Sequence, residues 1–180
     1  MQLRGTHGTT RTRASAILQS AKFKVSDAGY GGRGAYFWAY ATEERYGVEL
    51  AESWWAFACH KQHYEGDADK SCAVLGVEIE PPQEGKFLDA TDQFFKEALF
   101  RAMTSKECTA EKLHAVTAVL IEEMEAANGD CFDLVKMHIN TPPTVKGRQQ
   151  LYAQMVTKAS DAYLVRETGL CLIGGIKIMK

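Results

Sequence analysis

No stretch of this sequence approaches the ~18 consecutive apolar residues of a membrane-crossing helix, so none is expected. The first residues are polar and basic with no apolar run behind them, which excludes a secretory leader from the expectation. Proline is scarce: the four fall in two pairs, Pro81-Pro82 and Pro142-Pro143, and each pair breaks the chain. The five cysteines (Cys59, Cys72, Cys108, Cys131, Cys171) are odd in number and never spaced C-x-x-C. They read as buried, reduced thiols of a cytoplasmic protein, and neither a disulfide frame nor a zinc site is expected. His60, His63, His114 and His138 have no metal-ligand spacing, so no metal is expected either. There are no repeats and no low-complexity segments.

What the chain does have is the composition of a globular domain. Its 180 residues fit a single domain, 1–180, and 46% apolar against 24% charged residues allows a sizeable core. The net charge of −2 does not mark the whole protein as a polyanion binder, but the charge is unevenly placed. Arg4, Arg11, Arg13, Lys22, Lys24 and Arg33 oppose only Asp27 within residues 1–35, a net of +5, leaving −7 for the rest. A phosphate-bearing ligand and a solvated basic helix face account for this equally well.

Leu3 to Thr6 reads as an opening strand, and Thr9 or Thr10 as the cap of a helix over Arg13 to Ala21. Phe23 to Ser26 is expected to be extended, Gly29 to Gly34 a turn and Ala35 to Tyr40 a strand. Thr42 is the expected cap of a long helix through His63, in which Trp54 and Trp55 belong to the core. Cys72, Val74, Leu75, Val77 and Ile79 form a clear strand, and Lys86 to Asp89 a short one. Thr91 or Asp92 starts a helix to about Met103, and Thr109 a second that ends at Asn128-Gly129, with the Glu122-Glu123-x-Glu125 run on a solvated face. Phe132 to Ile139 is strand or helical turn; a helix follows over Val145 to Lys158, and the C-terminus supplies two or three strands. This order is mixed α+β, with strands from both ends of the chain meeting in mid-sheet and a helical insertion at about 92–158.

Two motifs carry chemistry. Gly5-Thr6-His7-Gly8-Thr9 ends the first strand on a histidine followed by glycine, and Gly32-Arg33-Gly34-Ala35-Tyr36-Phe37 leads a glycine turn into an aromatic pair. The first resembles the His-Gly-Ser/Thr motif, and the second the Gly-x-Gly-x-Tyr-Phe strand, of the diphtheria-toxin-like and poly(ADP-ribose)-polymerase-like ADP-ribosyltransferases. The long helix after the second motif and the strand leading to Leu88-Asp89 agree with that order; the helical middle matches no pattern. The resemblance implies a split antiparallel sheet with NAD, the substrate, in the cleft. It implies that the Gly8 backbone holds the nicotinamide carboxamide, that His7, helped by Thr9, contacts a ribose hydroxyl, and that Tyr36 and Tyr46 sandwich the nicotinamide ring. Such clamping suits a reaction whose transition state has oxocarbenium character.

The family places a charge-stabilising glutamate on a late strand, in a pattern like Asn/Ser-x-Glu-Tyr-Ile/Leu-Val. The corresponding segment is Ser160-Asp161-Ala162-Tyr163-Leu164-Val165, with Ala162 at the glutamate position. Three accounts are open: a Glu-to-Ala change made so that a toxic enzyme could be produced, which is favoured; a natural member that is inactive or uses another residue; or a takeover by Asp161 or Glu167, or a different register of the segment. The latter two residues lie an odd number of positions from 162 and on a regular strand face the other way. A second clan of these transferases uses a first-strand arginine, a Ser-Thr-Ser segment and a Glu-x-Glu pair. Arg4 and Glu78-Ile79-Glu80 echo it, but no Ser-Thr-Ser is present.

The resemblance implies a bacterial toxin of growth control or phage defence, with an antitoxin partner. Its acceptor is a macromolecule, and the basic residues Arg11, Arg13 and Arg33 favour RNA over protein.

Overall fold

The computed structural model describes residues 2–27, 29–105, 113–142 and 159–180. Along the chain lie β1 (Leu3–Thr10), α1 (Arg11–Ser20), β2 (Ala35–Ala39), α2 (Glu44–His60), β3 (Cys72–Ile79), β4 (Phe87–Asp89), α3 (Gln93–Ser105), α4 (Leu113–Asn128), β5 (Leu134–Asn140), β6 (Ala159–Val165) and β7 (Ile173–Ile178). The fold is α+β. The described strands form one seven-stranded sheet in the order β4-β5-β6-β2-β1-β3-β7, with β4 parallel to β5 and every other pairing antiparallel. No described helix is long and apolar enough to cross a membrane.

Alternation along the strands builds a core on each face. One holds Trp38, Val74, Leu88, Val135, Met137, Ala162 and Leu164 beneath Leu50 and Ala51 of α2, Phe95 of α3 and Leu120 and Ile121 of α4. The other holds Phe37, Leu75, Val77, Leu134, Tyr163 and Val165 beneath Ala14 and Ile17 of α1 and Phe23. Thr10 caps α1, its hydroxyl accepting from the Arg13 N–H, and Asp92 caps α3 by accepting from the Phe95 N–H at 2.7 Å.

Several expectations change. The described part of 92–158 is not helical throughout: of the stretch Phe132 to Ile139, left open between strand and helical turn, residues from Leu134 on belong to β5, which pairs with β6 from Leu134–Val165 to Asn140–Ala159. Val135, Met137 and Ile139 alternate into one core, while Leu134 enters the other and Lys136 and His138 stay partly or fully exposed, a period of two that a helical turn lacks. Of the C-terminal strands, β6 reaches mid-sheet beside β2, whereas β7 forms an edge against β3. The cap of α2 is Glu43, without a side-chain hydrogen bond, instead of Thr42. Trp54 is 37% exposed, and Trp55 is half-buried with its ring N–H on the Lys70 carbonyl. Cys59 and Cys72 are half-buried, and Cys131 and Cys171 exposed. The expected cap Thr109, Cys108 and the expected helix Val145–Lys158 lie outside the described residues.

The pairing of β1 positions the site. On one side β1 pairs with β3 along its whole length, from Leu3–Ile79 to Thr10–Cys72. On the other it meets β2 only at Gly5–Ala39 and Thr6–Trp38. At the next step the His7 imidazole takes the Tyr36 carbonyl, at 3.0 Å, where a backbone ladder would continue, and the strands part.

Candidate functional site

The parting of β1 from β2 leaves a backbone edge at Gly8 that β2 does not pair. Val74, opposite Gly8, gives its N–H to Lys180 and its carbonyl to Met179, both on the β7 side. A strand residue directs both backbone groups to one side, so Gly8 and Val74 are a non-hydrogen-bonded pair and the Gly8 N–H and C=O point towards β2. Glycine is required here because α2 lies directly above: a Cβ on Gly8 would fall 1.8 Å from the Ala51 carbonyl oxygen. Gly47 lets the same helix descend onto Thr6, whose buried hydroxyl donates to the Gly47 carbonyl at 2.7 Å.

The register sorts the expected residues. Trp38 is opposite both Thr6 and Ala162, and Tyr36 opposite Leu164, so Thr6, Gly8, Tyr36 and position 162 share the face covered by α2. Tyr46 of α2 packs against that core and donates its hydroxyl to Ser160 Oγ at 2.8 Å, on the strand that carries 162. His7 lies on the opposite face, edge-on to Phe23 at 5.4 Å and tilted against Phe37 at 5.7 Å. It meets Tyr36 through the backbone carbonyl, not ring to ring. A carbonyl only accepts, so Nδ1 carries the proton and Nε2 keeps the lone pair. Burial lowers the His7 pKa, which holds the ring neutral.

Tyr36 is half-buried, and the glycine turn folds back onto it. The Gly31 N–H donates to its hydroxyl at 3.1 Å, and the hydroxyl donates to the Gly32 carbonyl at 2.7 Å. Burial raises its pKa. Ala162 is 1% exposed, between Trp38 and Met137 on the neighbouring strands. Neither proposed substitute for a glutamate reaches that face. Asp161 turns to the other side, where it holds His138 at 2.8 Å and Lys136 at 3.5 Å. Glu167 is exposed and pairs with Arg33 at 3.2 Å.

The basic residues divide. Arg13 is spent on structure: it pairs with Asp67 at 2.8 Å, donates to the His63 carbonyl and lies 4.7 Å over the Tyr64 ring. Arg33 is 59% exposed but flanked by Asp27 and Glu167. Arg11, Lys22 and Lys24 are exposed. The first amides of α1 do not form an anion cradle, because Ser71, Asp69 and the Thr10 hydroxyl accept from Arg11, Thr12 and Arg13. Thr9 is buried and its hydroxyl bonds Tyr64, so it is not offered to a ligand beside His7.

Tyr64, Arg166 and Glu125 carry no motif that marks them in the sequence. Tyr64 is buried, its pKa pushed up to about 12 by that burial, and its hydroxyl donates to the Gly8 carbonyl at 3.4 Å. Glu125, expected on a solvated face, pairs with Arg166 at 3.1 Å, the two side chains only 11% and 12% exposed. Each meets its partner across 41 or more residues, and no local pattern announces such pairings.

A separate cavity of about 200 Å³ opens at the other end of β1, lined by Arg4, Tyr40, Glu44, Val77, Glu78, Gly175 and Lys177. There Arg4 stands opposite Glu78 in register. No group of His, Cys, Asp or Glu among the described residues has metal-binding geometry. The chain matches no protein-family model, no curated protein and no solved structure, so the site is read from its own chemistry.

Proposed function

We propose that this chain is a split-sheet mono-ADP-ribosyltransferase domain that binds NAD where β1 and β2 part and transfers ADP-ribose to a macromolecule. The observation that carries this reading is the Gly8 backbone edge left by β2, with Tyr36, Tyr46 and position 162 on one face beside it. The Gly8 amide donor, with the carbonyl lone pair that the Tyr64 hydroxyl does not use, is complementary to a primary carboxamide, whose oxygen accepts and whose NH₂ donates. Tyr36 and Tyr46 supply flat surfaces for the pyridinium ring. Neutral His7 keeps an acceptor nitrogen for a ribose hydroxyl.

In the reaction the bond between the nicotinamide nitrogen and ribose C1′ breaks, and the electron pair leaves with nicotinamide. C1′ bonds to the acceptor nucleophile, which loses a proton to solvent or a base. A carboxylate at 162 would stabilise the positive ribose; alanine does not. This chain therefore binds NAD and turns it over slowly. RNA is the favoured acceptor, protein the alternative, and Arg11, Lys22 and Lys24 are exposed cations for a phosphate backbone. In this reading the protein is a cytoplasmic bacterial toxin of an anti-phage or growth-control system, held by an antitoxin.

A second reading, a non-catalytic NAD- or ADP-ribose-binding module, is favoured by the tight burial of Ala162 in the core. The Ala162→Glu variant, incubated with labelled NAD and cell extract, separates them. Nuclease-sensitive label supports the RNA transferase and protease-sensitive label the protein transferase. No label and no free ADP-ribose leaves the binding module.

A further inference from the structure

We infer that the buried Arg166–Glu125 ion pair is a positioning device for Tyr36, acting through the glycine turn. The inference rests on the NAD site proposed above. Burying an ion pair removes both charges from water, and packed apolar residues often do as well for stability, so such a pair calls for another role. Here the contacts run in one direction. Glu125 on α4 fixes Arg166 at 3.1 Å through one carboxylate oxygen, while the other accepts the Phe132 N–H at 3.1 Å. Arg166, just past β6, donates a second guanidinium N–H to the Arg33 carbonyl at 2.9 Å. Gly32, at φ +92°, lies against the same guanidinium, so close that a Cβ there would come within 3.1 Å of it. Gly31 and Gly32 then hold the Tyr36 hydroxyl from both sides, as donor at 3.1 Å and acceptor at 2.7 Å. The far end of the turn is closed by reciprocal backbone bonds between Ser26 and Gly34.

The glycine turn is thus a fixed bracket. Its glycines permit the close approach, and the ion pair removes the freedom they would otherwise give. Among the described residues Arg166 Nε is buried without a hydrogen-bond partner, so the guanidinium is oriented there by the turn and Glu125, not by its own full satisfaction. Arg166 and Glu125 need not touch the ligand; they set the plane of the ring that does.

The test uses the full chain, the double variant Arg166→Met/Glu125→Leu, which fills the same space without charge, and the single variant Arg166→Lys. The readouts are thermal melting, hydrogen exchange of Gly29–Phe37, and NAD binding by calorimetry. The double variant is expected to melt near the parent, to exchange at least tenfold faster in that segment and to bind NAD at least tenfold more weakly. Arg166→Lys keeps the charge but loses the fork to Arg33 and Glu125, and behaves likewise. Parent-like exchange and NAD affinity in a folded variant overturn the inference. If the double variant does not fold, Arg166→Lys decides by the same criteria. A parent chain that binds no NAD defeats the proposed function instead, and the exchange measurement still judges the bracket.

Discussion

His7 works as a neutral ring. Its Nδ1–H is committed to the Tyr36 carbonyl, and burial lowers its pKa below the usual 6.5. Between that lowered pKa and 6.5 the unfolded chain binds the extra proton more readily than the folded one. Stability is therefore full above pH 6.5 and falls as the pH drops towards the folded value. Melting temperatures from pH 7 to 5 should decline in the parent by more than in His7→Asn, the difference appearing only below about 6.5. NAD affinity should hold through that window and fall only as the pH drops through the lowered pKa of the folded state, because a doubly protonated ring has no acceptor. A flat parent-minus-variant difference contradicts this. At position 162 the expectation is a trade. Ala162→Glu places a carboxylate at a 1% exposed site and should destabilise the ligand-free fold by about 2 kcal/mol or more, read by denaturant melts. It should also raise NAD turnover about 10²-fold or more, read as nicotinamide release. His7, Gly8 and Tyr36 were legible in the sequence because glycines flank them. Tyr64, Arg166 and Glu125 were not, because their meaning lies in partners far along the chain.

Between elements, the tightest contact is that of α2 with β1. The Ala51 carbonyl fills the space a Gly8 side chain would need, and Gly47 brings the helix onto Thr6. Gly8→Ala should lower the denaturation midpoint by the equivalent of about 3 kcal/mol, since backbone, not a flexible side chain, must move. A midpoint within error of the parent would contradict this close approach of α2 to β1. The elements were legible to different degrees. The apolar run of β3 and the Thr10 cap of α1 follow from local pattern. β5 does not: Leu134, Val135, Met137 and Ile139 are all buried, and their strand character is fixed by pairing with β6. Trp54 shows the converse, a large apolar residue that the helix turns outward.

For the whole molecule, the sheet is a wide half around β6 and β2 joined to a half around β1 and β3 by one short seam. The α+β class and the central place of β6 follow from the order of elements; the shortness of the seam does not, since it ends where His7 takes the Tyr36 carbonyl in place of a ladder bond. The charge of residues 1–35 was legible as a sum but not in its use, because Arg13 and Arg33 are paired with acids. If Lys22 and Lys24 engage the phosphates of single-stranded RNA, Lys22→Glu/Lys24→Glu should flatten the salt dependence of binding on a log–log plot by ~0.7 for each phosphate no longer neutralised. An unchanged slope removes them from the interface. The central claim is that NAD sits at this seam. Calorimetric titration of the chain with NAD, beside Tyr36→Ala and His7→Asn, tests it most directly. The account predicts saturable one-to-one binding to the chain and at least tenfold weaker binding to each variant. No binding to the chain, or equal binding to all three, would contradict it.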